Sequence, residues 1–268
     1  MKTTQKQLDN LKVHYSNVAA PIGNHWATYA LKMEDLTLEK LAGCRERWAG
    51  NWDNGWKKYA PLDLLATMSP DAREAATEDL FGRPKVTWLH DKPYSYSSIE
   101  YAYMADLVRQ HAPEKHTSDE AFIFMEIGGG YGGLRRAIDR LYHPHAIIYD
   151  IFDLGPMCVL QEVYRVEANV GVWYTSYGWN FFGQGIAADV VLASRSLFEL
   201  PLDVANWYLE RVNKVLIPGG IFFSIARNKV SNPDEWNMGD LELVFEKPWV
   251  LNPRLKVRIY RKPANSQR

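Results

Sequence analysis

Glu126-Ile-Gly128-Gly-Gly130-Tyr131-Gly132 is the stretch of this 268-residue sequence whose residue types and spacing most clearly suit chemistry. Its glycines stand at alternate positions directly after the apolar run 122–127, where they let the main chain turn sharply and leave a strip with no side chain to collide with a ligand. Dinucleotide folds space their glycines GxGxxG and lay a pyrophosphate on the N–H groups of the following helix. Here the spacing is GxGxG, and Glu126, two residues before the first glycine, would repel a pyrophosphate. A phosphate-free, positively charged ligand suits the stretch better. Asp153 follows a second apolar run, 145–152, at the separation where a carboxylate of a Rossmann unit accepts hydrogen bonds from two ribose hydroxyls. Asp150 competes for that role. The strand most naturally ends at Phe152, which favours Asp153 at the tip and puts Asp150 into or beside the sheet; either Asp also makes a good helix N-cap.

The elements needed to position these residues can be read from the periodicity. Short apolar runs at 122–127, 145–152, 170–175, 189–193 and 221–226 read as buried strands. Helical spacing at 134–141, 157–168 and about 204–216 alternates with them, and Pro218-Gly-Gly220 reads as a turn. Strands alternating with helices make βαβ units and a parallel sheet whose ligands lie beyond the carboxyl ends of the strands. Two further strands near 241–245 and 256–260 complete an α/β fold: a Rossmann-like, seven-stranded, mostly parallel sheet with flanking helices over 119–268. Residues 1–118 carry helix-like spacing broken by Pro21, Pro61, Pro70, Pro84 and Pro93, and read as a helical N-terminal extension or lid. Ser97 or Ser98 would cap a helix running to about Gln110.

Glu-Ile-Gly-Gly-Gly-Tyr-Gly-Gly at 126–133, Asp-Leu-Gly-Pro at 153–156, Asp-Val-Val-Leu-Ala-Ser at 189–194 and Pro-Gly-Gly before a hydrophobic strand resemble the class I S-adenosylmethionine-dependent methyltransferases over about 121–228. Within that span, 126–133, Asp153-Leu154 and Ser194-Arg-Ser-Leu-Phe-Glu199 resemble the bacterial sugar O-methyltransferase group associated with surface-polysaccharide genes. Gly155 departs from the proline usual in that group's Asp-Leu-Pro turn. The charge argument agrees, because S-adenosyl-L-methionine has no phosphate and brings a sulfonium and an ammonium. The resemblance implies that Glu126 acts on the methionine end through the glycine loop, that Gly128, Gly130 and Gly132 line the cofactor with Tyr131, and that Asp153 holds the ribose. It implies that Leu154 packs on the adenine, with Thr175 and Ser176 at the adenine edge and Ser194 facing the methyl-donor end.

Methyl transfer to a hydroxyl is an in-line displacement that neutralises charge, so holding donor and acceptor aligned supplies much of the rate. Glu199, in the loop after the fourth strand of the sheet, is placed to take the hydroxyl proton, although a helix cap or a surface Glu is the plainer reading. His25, His90, His111, His143 and His145 stand alone in the sequence and receive no catalytic role. Trp48, Trp52 and Trp56 lie four residues apart and read as a packing stripe, and Tyr94 and Tyr96 as a lid over the cofactor.

Composition sets the outer limits. Hydrophobic residues make up 47% and charged residues 24%, ordinary for a packed globular chain. Formal net charge is −1 with no Lys/Arg block, which argues against a nucleic-acid partner. The polar N-terminus lacks a signal-peptide run and no stretch is apolar enough for a membrane span, so the expected location is cytoplasmic. Cys44 and Cys158, far apart and outside any Cys/His cluster, suggest neither a disulfide framework nor a metal site. The expected partner is a small or carbohydrate acceptor, with the oligomeric state open. Other enzymatic acceptors (phenol, polyketide, amine) and a non-catalytic protein that keeps the fold remain alternatives, and a nicotinamide oxidoreductase is disfavoured by the spacing and by Glu126.

Overall fold

The computed structural model describes residues 1–16, 36–47, 61–115, 120–143, 145–171, 174–178, 182–183 and 187–264. His25, Trp48, Trp52 and Trp56 lie outside the described residues. The helices are α1 (Gln5–Tyr15), α2 (Leu38–Ala42), α3 (Cys44–Arg47), α4 (Pro61–Thr67), α5 (Pro70–Ala75), α6 (Tyr96–Arg109), α7 (Gly133–Tyr142), α8 (Gly155–Glu167) and α9 (Leu202–Val215). The strands are β1 (Val86–Leu89), β2 (Lys92–Ser95), β3 (Phe122–Ile127), β4 (Ile147–Asp153), β5 (Tyr174–Gly178), β6 (Ala188–Ser194), β7 (Leu216–Ala226), β8 (Glu242–Trp249) and β9 (Asn252–Arg261).

Strands β3 to β9 form one sheet in the order β5-β4-β3-β6-β7-β9-β8. The first five run parallel, and β9 alone is reversed, pairing antiparallel with both β7 and β8. The expected seven-stranded, mostly parallel Rossmann-like sheet is therefore present. The chain builds leftward from β3 through β4 to β5 and then restarts beside β3 with β6. The switch point thus lies between β3 and β6, where open α/β sheets take their ligands.

Helices cover the sheet, so its strands carry continuous apolar runs rather than alternating ones. Residues 188–193 of β6 are all buried, as are 220–226 of β7. Helix α9 presents Ala205, Tyr208, Leu209, Val212 and Val215 to the core, the i, i+3, i+4, i+7 stripe of an amphipathic helix. Among the described residues no helix is long and apolar enough to cross a membrane.

Several boundaries depart from the sequence expectation. Strand β5 starts at Tyr174 rather than near 170, and β4 extends to include Asp153. Pro218-Gly-Gly220 does not break the chain between helix and strand. It sits inside β7, where the register slips between Ala188 and Val190 and Gly219 at φ +81° absorbs the bulge. The β1–β2 hairpin was not anticipated. It turns at His90 and Asp91, both at positive φ, as a primed two-residue turn requires, without the Asn-Gly or Asp-Gly pair that would have signalled it. Helix α6 is capped by Ser95 rather than Ser97 or Ser98, with Ser98 completing the capping box.

Helices α4, α5 and α6 share one apolar core with the sheet. A second cluster joins Leu8 and Tyr15 of α1, Leu41 and Cys44 to Tyr131, Cys158, Val159 and Val163. Tyr94 and Tyr96 are enclosed in the first core, 7% and 4% exposed, so they are packing residues rather than a lid surface. Cys44 and Cys158 are both buried, and burial pushes both thiols up, Cys44 to about 12.

Under the glycine loop lies a buried ionic knot. Arg45 Nη2 meets Glu78 Oε2 at 2.6 Å, and Arg136 of α7 reaches Asp79 at 3.4 Å and Glu78 at 3.8 Å. Ser95 and Tyr164 donate to Glu78 and Asp79. Against the upward push of its burial, the Arg45 and Arg136 guanidinium groups and the Ser95 hydroxyl bond hold Glu78 well below the usual carboxylate range.

Candidate functional site

The turn after β3 is shaped by its glycines. Gly128, Gly130 and Gly132 adopt φ of +73°, +58° and +90°, conformations that L side chains rarely take. Gly129 is required for space. A Cβ there would stand 2.6 Å from Ile151 Cγ2 and 2.9 Å from Glu126 Oε2. A Cβ on Gly128 would stand 2.7 Å from Ser196 Cβ. Across the switch point Ser196 Oγ donates to Ile127 O at 2.5 Å, tying the turn after β6 to the end of β3.

Two carboxylates flank this bare strip. Glu126 is 2% exposed, and Tyr149 OH donates to its Oε2 at 2.8 Å. Burial pushes Glu126 up to about 7, helped by the nearby charge of Asp153 and opposed by the Tyr149 bond. Asp153 is half-buried. It accepts from Leu154 N–H at 2.8 Å and from Gln161 Nε2 at 2.9 Å, and the N–H groups of Gly130 and Gly129 also act on it. Burial still pushes it up to about 7 against all four donors. Among the described residues no cation forms an ion pair with either group. Asp150 falls on the opposite face of β4 from Asp153, by the period-two alternation of a strand.

Gln161 of α8 joins the parts of the crevice. Its Nε2 donates to both Asp153 and Gly130 O, and its Oε1 accepts from Ser176 Oγ at 2.9 Å. Tyr15 OH donates to Ser176 O at 2.9 Å, so α1 is anchored to the same wall. Leu154 stands at the N-cap of α8, 9% exposed. The fold thus brings together Glu126, Gly128, Gly130, Gly132, Asp153, Leu154 and Ser176.

Other expected residues are placed differently. Tyr131 is 4% exposed, its ring 5.0 Å from Tyr164 and 4.7 Å beneath the Arg45 guanidinium, so its side chain packs the second core rather than lining a cofactor. Thr175 is exposed, on the face of β5 opposite Ser176. Ser194 ends β6, its Oγ 3.5 Å from Met104 Sδ. Glu199 closes the single turn Leu197–Glu199 and is ion-paired to Lys229 Nζ at 2.6 Å.

The sequence reading missed Tyr149, Gln161 and Ser196, and also the Arg195–Glu100 pair. Arg195 lies between Ser194 and Ser196 at φ +65°, a strained conformation for a residue with a Cβ, of the kind found at functional sites. Its N–H donates to Ile225 O at 3.0 Å, and its guanidinium pairs with Glu100, which also accepts from Trp249 Nε1 at 2.8 Å. None of these residues carries a local signal, because each partner comes from a distant segment. Among the described residues no group of three or more His, Cys, Asp or Glu is arranged to hold a metal ion.

No protein-family model and no curated protein matches the chain. Among solved structures it is similar to the CcbJ methyltransferase of Streptomyces caelestis, at 16% identity over 60% of this chain and 88% of that one, with a TM-score of 0.47. It is similar to an O-methyltransferase family 2 protein of Planctomyces limnophilus in complex with apigenin, at 11% identity over 95% of each chain and a TM-score of 0.47. It is also similar to the [4+2]-cyclase SpnF, at 12% identity over 80% of this chain and 97% of that one, with a TM-score of 0.48.

Proposed function

We propose that the chain binds S-adenosylmethionine at the switch point and transfers its methyl group to a hydroxyl of a sugar or other small acceptor. The observation that carries this reading is a pair of carboxylates, buried Glu126 and half-buried Asp153, that stand without an ion-pair partner among the described residues on either side of a glycine strip in which Gly128 and Gly129 admit no Cβ. A ligand with positive charge, no phosphate and a flat face fits that donor set, and a dinucleotide does not. In this reading residues 119–268 form the methyltransferase domain, and residues 1–118 are its helical extension.

When bound, the cofactor supplies an electrophilic methyl group on a sulfonium. Glu126, behind Gly129, provides negative charge for the amino-acid end. Asp153 accepts the ribose hydroxyls in competition with Gln161 and the loop N–H groups that already bond it, so cofactor entry loosens that mesh. Leu154 and Ser176 line the adenine side. Ser194 and the strained Arg195 face the methyl end, and Glu199 takes the acceptor proton while Lys229 holds its carboxylate in place. That ion pair orients the carboxylate, which suits a reaction governed by alignment.

Calorimetry with S-adenosylhomocysteine tests the site. One molecule is expected to bind per chain, and Gly130→Val, at a positive-φ position, is expected to abolish binding without unfolding the protein. Equal affinity in the variant would refute the assignment. With an acceptor in hand, Glu199→Gln is expected to lower turnover about a hundredfold while cofactor affinity holds. Unchanged turnover would remove Glu199 as the base.

A further inference from the structure

A second concavity opens at the same end of the sheet, beyond β7. It encloses about 510 Å³ and is lined by Ala226, Arg227, Asn228, Pro233 and Asp234 together with Arg254, Lys256 and Arg258. That volume lies in the range of small-ligand pockets. Four cations face one carboxylate, in a chain whose formal net charge is −1.

Two of the cations are fixed. Arg258 is 7% exposed, its Nε on Glu246 at 2.6 Å and its Nη2 on Asp234, and Lys256 Nζ holds the other Glu246 oxygen at 3.1 Å. The other two are uncommitted. Arg227 and Arg254 are exposed and form no ion pair among the described residues; the Arg227 guanidinium lies only 6.0 Å from the Phe198 ring. A fixed, charge-paired floor with two uncommitted guanidinium groups at its rim is suited to phosphate, whose oxygens match the guanidinium fork.

The pocket also adjoins the reaction end of the proposed site. Ala226 is one residue past Ile225, which pairs with Ser194 and accepts from Arg195 N–H. The loop that forms its wall is bonded to the turn carrying Glu199, since Val230 N–H and Ser231 N–H both donate to Phe198 O and Lys229 pairs with Glu199. β7 is two strands from β3, roughly 10 Å across the sheet. One small molecule could therefore seat a phosphate here and present a hydroxyl between Ser194 and Glu199.

We propose that this pocket binds the phosphate or diphosphate of a small phosphorylated molecule. Resting on the methyl-transfer reading above, that molecule is the acceptor: a phosphorylated or nucleoside-diphosphate-linked compound rather than a free neutral sugar. A nucleic-acid backbone is the less fitting source of the same chemistry, because the basic residues gather in one pocket and form no stripe.

The test titrates the full chain with inorganic pyrophosphate, with uridine diphosphate and uridine, and with a single-stranded oligonucleotide, at low and at high salt. Pyrophosphate and uridine diphosphate are expected to bind, uridine is not, and salt is expected to weaken both. The exposed double variant Arg227→Glu/Arg254→Glu is expected to lose at least about tenfold in diphosphate affinity while S-adenosylhomocysteine affinity stays the same. Failure of both diphosphates to bind, or equal binding to the double variant, would overturn the proposal. So would oligonucleotide binding that outcompetes both and is lost in the same variant. Diphosphate binding lost in the variant, in a protein that ignores S-adenosylhomocysteine, would uphold the phosphate site and sink the methyl-transfer reading alone.

Discussion

Two of the places where this molecule encloses carboxylates, the ionic knot and the crevice, are treated by the fold in opposite ways. In the knot beneath the glycine loop Glu78 is enclosed but meets Arg45 and Arg136, and its proton affinity is driven down. In the crevice Glu126 and Asp153 meet hydroxyl, amide and N–H donors but, among the described residues, no ion-pair partner, and their proton affinities are driven up to about 7. A buried charge without a partner is expensive, so it either neutralises or waits for a ligand that completes it. The knot is a finished structural device that joins the N-terminal segment to α7. The crevice is electrostatically unfinished, which is the ground on which we propose it as the binding site.

Breaking the knot gives the largest expected effect. Glu78→Ala leaves the buried Arg45 guanidinium without its carboxylate and Arg136 with Asp79 alone, and is expected to cost roughly 3–5 kcal/mol of stability, read from denaturant unfolding. A loss under 1 kcal/mol would mean that the knot is not the strut it resembles. Asp153→Ala is expected to leave the far-UV circular dichroism intact and to weaken S-adenosylhomocysteine roughly ten- to a hundredfold, the scale of hydrogen bonds to a charged group. If stability falls and affinity does not, the two regions have been assigned the wrong way round.

The pH response sharpens the contrast because the signs differ. Glu126 and Asp153 bind protons more tightly in the folded state than in the unfolded one. Their contribution to stability is whole below about pH 4 and is lost as pH rises through about 7. Glu78 is shifted downward, so its contribution is present above the ordinary carboxylate range and is lost only in acid. The melting temperature of the ligand-free protein is therefore expected to decline between pH 5 and pH 8, and Glu126→Gln to flatten that decline. Ligand affinity should move the other way, rising from pH 6 to pH 8 by about tenfold for each carboxylate that ionises, about a hundredfold for the two together. The smallest effect expected is that of Tyr149→Phe. It removes one hydrogen bond of about 1 kcal/mol from the ionised Glu126 and moves the affinity midpoint to higher pH. An unmoved midpoint would separate Glu126 from the titration.

The sequence exposes the crevice and conceals the knot for one physical reason. Glu126, the glycines and Asp153 sit in two tight turns at the ends of adjacent strands, so their spacing alone carries the chemistry. The five parallel strands were legible because strands covered on both faces need apolar runs, whereas their ends were not, as β5 and the bulged β7 demonstrate. Arg45, Glu78 and Arg136 come from three distant segments, and nothing local in any of them announces the pairing. The same holds for Gln161, whose role depends on α8 lying over Asp153, and for Ser196, which matters only because β6 restarts beside β3. Tyr131 misled from the opposite direction: within the glycine motif it looks like a ligand contact, but its ring is taken up by the second core.

Proton release on cofactor binding addresses the unfinished charge most directly. Titration calorimetry of S-adenosylmethionine at pH 7, in buffers of different ionisation enthalpy, counts the protons lost as the complex forms. With both carboxylates near half-protonated beforehand, about one proton is expected to leave per molecule bound, and fewer in Glu126→Gln. Binding with no proton released, or no binding at all, would contradict the claim that these two buried carboxylates are completed by a cationic cofactor.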